Sequence, residues 1–153
     1  VSDSIQKAIN QIKSKRLRVG WGENQKYPSG EFVATIAAQN EFGNPALGIP
    51  VRSFMRVSVQ QHQETWKKIF AKGIINAIKG NQSVASAMET AGLVVAGDVR
   101  KAITEVTSPP LKTATVKARL KGKKQGKKVS LTVAKPLVDT GIMLNSITSE
   151  VVE

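Results

Sequence analysis

Two stretches of helical periodicity, almost back to back, constrain this chain more than any other feature. From about Ser53 to Lys79, Phe54, Val57, Val59, Trp66, Ile69, Phe70, Ile74, Ala77 and Ile78 recur mostly every three or four residues, the spacing of one helix face. Gly80-Asn81 punctuates the pattern. It resumes from Ser83 to about Val106 through Val84, Ala87, Met88, Ala91, Val94, Val95, Val99, Ala102, Ile103 and Val106. Ser108-Pro109-Pro110 then stops it, because proline removes a donor and clashes with the preceding turn. Gly92 and Gly97 lie inside the second helix. Each costs up to about 1 kcal/mol against alanine, which argues for a close helix–helix approach or a kink.

The shorter elements fall around this pair. Ser2 to Lys15 carries Ile5, Ala8, Ile9 and Ile12 at helical spacing. Leu17 to Gly22 alternates Leu17, Val19 and Trp21 on one face and reads as a strand. Glu23 to Gly30 is a turn region. Phe32 to Phe42 reads as a helix ended by Gly43, and Asn44 to Pro50 as a loop. Leu111 to Leu120 has modest helical character, and Val129 to Val133 leans to a strand. In the final stretch Pro136 breaks the chain, Asp139 or Thr140 offers a cap, Gly141 to Asn145 forms a helix stub, and Ser146 to Val152 forms a closing strand. The expected fold is α+β: one domain over residues 1–153, with a small, mostly antiparallel sheet packed against two long helices. A basic arm at about 107–134 interrupts it. Phe54, Met55, Trp66, Ile142 and Leu144 are expected in the core.

Charge is concentrated rather than spread. The chain carries +12, and nine basic residues fall between Val106 and Val138 with no acid between Glu105 and Asp139. The rest of the molecule keeps only about +3. Lys121, Lys123, Lys124, Lys127 and Lys128 crowd into KGKKQGKK, read as a flexible arm. Such an arm suits phosphate neutralisation, docking to an acidic protein, or simple solvation. With no aromatic residue in 106–138, base stacking has no support.

The residues give little to an enzyme. With no cysteine and one histidine, neither disulfides nor a Cys/His metal site can form. His62, amid polar neighbours in a helix, is expected to be solvent-exposed. No glycine-lysine phosphate loop is present, and the acids are scattered without a cluster for a divalent cation. Nothing approaches the length of a membrane span, and no apolar leader opens the chain. The expectation is therefore no catalytic set, no metal, no cofactor and no membrane.

Four blocks in fixed order carry a resemblance. They are VATIAAQNEFG at 33–43, IPVRSFMR at 49–56, SPPLKTATVKAR at 108–119 and KPLVDTGIMLNSI at 135–147. Together they resemble the tail-completion, tail-terminator and neck proteins that join head to tail in tailed bacteriophages. Val51 and Ser53 replace prolines usual in the second block, and KGKKQGKKVSLTVA looks like an insertion. The resemblance implies a structural virion protein that is assembled in the host cytoplasm and forms a ring, commonly sixfold, at the head–tail junction. Its partners would be a tail tube protein below and a connector or stopper above, with genomic DNA passing through the lumen. In that setting Arg52 and Arg56 are candidate interface residues, paired either with Glu41 or with an adjacent subunit. Lys121, Lys123, Lys124, Lys127 and Lys128 would face the lumen or an acidic partner ring. The alternative is a nucleic-acid-binding protein without sequence preference, working through the basic arm.

Overall fold

A computed structural model describes residues 2–124, 137–138 and 141–153. Among them the chain runs α1 (Asp3–Ser14), β1 (Arg16–Gly20), α2 (Val33–Phe42), α3 (Met55–Ile78), α4 (Val84–Glu105), α5 (Thr113–Lys124), α6 (Ile142–Ser146) and β2 (Thr148–Val152). A single 3-10 turn at Pro45–Leu47 interrupts the loop between α2 and α3. The fold is α+β and mostly helical. The expected elements at 2–15, 17–22, 32–42, 53–79, 83–106 and 141–152 are all found, with ends displaced by a residue or two.

The centre of the molecule is α4. Val84, Ala87, Met88, Ala91, Ala96, Val99, Ala102 and Ile103 are buried along it, so it is covered on more than one side. Helix α3 packs along α4. The sheet rests on α4, one of the two long helices it was expected to pack against. The reason is steric. A Cβ on Gly92 would lie 2.8 Å from Leu17 Cδ1 of β1 and 2.8 Å from both Cβ and Oγ of Ser149 of β2. The missing side chain lets the strands sit on the helix backbone. Gly92 thus serves a helix–sheet approach rather than a helix–helix one. The close helix–helix approach is made instead by Gly73 of α3, where a Cβ would come within 2.9 Å of Ala87 Cβ. Gly97 has nothing within 4 Å of the same position.

The two strands pair antiparallel, Arg16 opposite Val152 through Gly20 opposite Thr148. Leu17, Val19, Ser149 and Val151 are half-buried beneath, while Arg16, Arg18, Thr148 and Glu150 are exposed above. The main core gathers Val33, Ala37, Phe54, Val99, Ala102, Ile103, Leu137, Val138, Met143 and Ile147. Met55, Ile142 and Leu144 pack at its margin. Trp66 belongs to neither core cluster. It is half-buried, and its indole N–H donates to Asp98 Oδ2 at 2.7 Å. An indole needs such a polar partner when it leaves water. His62 is half-buried rather than exposed, its ring stacked on Trp66 at 6.0 Å.

The basic segment differs from its expectation at one end. Helix α5 continues to Lys124, so Lys121, Lys123 and Lys124 lie on a helix rather than in a loop. Lysine is a good helix former, and the single Gly122 costs about 1 kcal/mol without ending the helix. Lys127, Lys128, the strand expected at 129–133, Pro136 and the Asp139/Thr140 cap lie outside the described residues.

The two glycines of α4 separate packing from propensity. Gly97→Ala should raise stability by about 0.5–1 kcal/mol, the ordinary helix gain. Gly92→Val should lower it by about 1–3 kcal/mol through overpacking against Leu17 and Ser149. Urea unfolding of the two variants checks this, and equal effects at the two positions would refute the role given to Gly92.

Candidate functional site

The residues of the four sequence blocks meet in space, and Glu41 is where the first two meet. Helix α3 opens with Phe54 at its N-cap, a residue with no side-chain acceptor, so its first amides need a partner from elsewhere. Glu41, near the end of α2, supplies it. Its Oε2 accepts from the Phe54 and Met55 amides, both at 2.8 Å. Its Oε1 accepts from Ser53 Oγ at 2.7 Å, the Arg56 amide at 3.1 Å and Arg56 Nε at 2.8 Å. Arg56 also donates through a second guanidinium nitrogen to the Glu41 carbonyl at 2.7 Å. The carboxylate is 4% exposed, an anion held at the positive end of a helix.

The electrostatics follow from this geometry. Burial is the largest single influence on the Glu41 carboxyl and would raise it. The Arg56 guanidinium, the Ser53 hydroxyl and the Met55 and Phe54 amides together outweigh burial and lower it from 4.5 to about 2. A carboxylate so acidic, with both oxygens already accepting, is poorly matched to taking a proton near neutral pH. Its arrangement suits anchoring.

Gly43 follows two residues later, at φ +77°. A Cβ there would lie 3.0 Å from Val51 Cγ2 and 3.2 Å from the Ile49 carbonyl oxygen. Glycine is therefore required where the chain turns from α2 to run back beside it. The Arg52 amide completes the return by donating to the Asn40 carbonyl at 2.7 Å.

Arg52 joins the third block to the second. It is 7% exposed, with Nε donating to the Pro109 carbonyl at 2.8 Å and another guanidinium nitrogen donating to Pro110 at 3.3 Å. Burial, and secondarily the positive charge of Arg119, lower its pKa. Of the two interface candidates, then, Arg56 takes the local option of pairing with Glu41, while Arg52 pins the segment after α4. The Arg56 side chain stays partly open to solvent and lies over the Phe42 ring at 5.1 Å. Phe42, Leu47 and Val51, all from the 42–51 segment, are more than half exposed.

The fourth block is held by its carbonyls. The end of α6 leaves acceptors without intrahelical partners. Trp21 Nε1 donates to Met143 at 2.8 Å and Gln25 Nε2 to Ser146 at 3.0 Å. Arg100 of α4 donates to Leu144 at 3.1 Å and Ile147 at 3.3 Å. Trp21 also sets its ring edge-on to Phe54 at 5.8 Å. A cleft of about 740 Å³ opens at this end of the sheet, bordered by Arg18, Trp21, Glu23, Gln25, Thr148 and Glu150.

The charged segment reaches this network at Pro109 and Pro110 and through the charge of Arg119 beside Arg52. Lys112, Lys117 and Lys121 are exposed, while Val116 and Arg119 are half-buried on the other side of α5. Among the described residues no group of three His, Asp or Glu side chains is placed to hold a metal ion, and no helix is long and apolar enough to cross a membrane. Sequence reasoning named Glu41 only as a possible partner of the arginines. Its capping of α3 was missed, because only the fold shows that Phe54 rather than Ser53 takes the N-cap position.

Because Glu41 is more acidic folded than unfolded, its stabilisation is complete above about pH 4.5 and disappears as pH falls toward 2. The shift corresponds to about 3 kcal/mol. Glu41→Gln should cost a similar amount at pH 7 and flatten the acid limb between pH 5 and 2, as read by urea titrations at each pH. An unchanged acid limb would refute the assignment. No family model matches the chain, and neither a curated protein nor a solved structure matches it.

Proposed function

We propose that this chain is a structural virion protein of a tailed phage. It forms a homo-oligomeric ring at the head–tail junction, as a tail-terminator or tail-completion (neck) subunit between tail tube and connector. One observation carries the reading beyond the block order itself: residues of all four resembling blocks make direct contact. Glu41 holds Ser53–Arg56, Arg52 holds Pro109 and Pro110, and Leu137, Val138, Met143 and Ile147 share a core with Val33, Ala37 and Phe54. Scattered similarity arising by chance has no reason to converge on one connected framework. The residues so used are structural, consistent with a resemblance that concerns a scaffold rather than a reaction. The exposed Phe42, Leu47 and Val51 suit a subunit whose surface is completed by neighbours.

Mass measurement of the purified protein should give a multi-subunit closed assembly, and imaging of particles should locate the chain in the neck. A strict monomer absent from virions sinks the reading.

The exposed lysines of α5, with no acid between Glu105 and Asp139, favour nucleic-acid binding as a second reading. It requires duplex binding by the isolated protein that weakens steeply with salt. The pair K117E/K121E should reduce that binding tenfold or more in fluorescence anisotropy; equal binding by parent and variant excludes α5 as the contact.

A further inference from the structure

We propose that the β1–β2 ribbon is an assembly element, the outer edge of β2 in one copy pairing antiparallel with the outer edge of β1 in the next. This rests on the ring reading above and specifies its subunit contact.

The ribbon has two strands of five residues, so each strand has a second flank. Among the described residues, no backbone hydrogen bond from another element reaches 16–20 or 148–152. A row of unpaired amides and carbonyls is a template for another strand. A two-stranded ribbon is also marginal in isolation, and among the described residues this one is supported on its lower face, chiefly by α4.

Charge identifies the occupant as a second copy and fixes its orientation. β1 presents Arg16 and Arg18 to solvent, and β2 presents Glu150, with Glu153 just beyond. Pairing β1 with β1 would oppose arginines, and pairing β2 with β2 would oppose glutamates. Like charges directly across a ladder are destabilising, while opposite charges contribute favourably. Only β2 against β1 of a neighbour sets acid beside base. Arg18 and Glu150 face each other within the subunit but form no ion pair there among the described residues. The complementarity is already realised at one end of the ribbon, where Lys15 Nζ lies 3.3 Å from Glu153 Oε1.

Symmetry agrees with charge. Because β1 and β2 are antiparallel, a rotated copy automatically offers β1 antiparallel to the first copy's β2. The contact uses two different patches, and such heterologous contacts generate rings when the rotation closes. The same charges that permit this pairing disfavour the two-fold alternatives.

Charge reversal tests the proposal in the full chain. Sedimentation velocity over a concentration series should show R18E and E150K each shifting assembly to at least tenfold higher concentration. Circular dichroism should show both folded. An equimolar mixture of R18E and E150K should restore assembly, because every inter-subunit edge again sets acid beside base. The double variant R18E/E150K should assemble like the parent. Single variants that assemble like a ring-forming parent overturn the proposal and leave the ring reading standing. A mixture as weak as its components also overturns it. A parent that stays monomeric at all concentrations removes both readings.

Discussion

The fold depends on one buried anion. Glu41 receives the first amides of α3, and it does so from the end of a different helix. Removing its side chain would leave the buried Phe54 amide and the part-buried Met55 and Arg56 amides without this acceptor and the Arg56 guanidinium without its partner, a loss of about 3 kcal/mol or more. The pairing also sets geometry. It brings the end of α2 against the start of α3 and draws the 44–50 loop into the return that Gly43 permits. It also brings Phe54 into the core at 1% exposure. Arg52, two residues before Phe54, then fixes the segment that leaves α4. A local cap would have stabilised α3 alone. This long-range cap stabilises the arrangement of four segments at once.

Around that anchor, α4 acts as the common wall. Its buried positions serve α3, the ribbon and α6 together, which explains why it carries most of the buried apolar residues while α3 buries only Ser58 fully. The two close approaches are made where side chains are smallest, Gly73 against Ala87 and Gly92 against Leu17 and Ser149. Arg100 on the same helix turns outward to hold the carbonyls at the end of α6. Packing and polar satisfaction thus share one element.

The outer surface has a different character. Lysines line the open side of α5, apolar side chains stand out along 42–51, and the ribbon carries arginines on one strand and glutamate on the other. These features contribute little to the stability of a single chain. Their common property is exposure, which is what the proposed ring would use.

Much of the architecture was legible because it rests on short-range rules. Periods of three to four residues gave the long helices, alternation gave the strands, and glycine and proline marked the stops. The approach that Gly92 implied was legible as well, but its partner was not, because the sheet that fills the space comes from residues 75 and 57 positions away. Trp66 fits the helical period of its neighbours, yet its indole N–H draws it to Asp98 and away from either core. Glu41 and Arg52 were the least legible. Their sequence neighbours show a helix end and a loop, and what defines them is a set of donors and acceptors 12 to 58 residues distant. The sequence by itself determined the elements, the concentration of positive charge and the order of the four blocks, since these follow from composition and local spacing. Only the tertiary structure decided which charges are buried and paired and which stay exposed, because burial and hydrogen bonding depend on what the chain brings together.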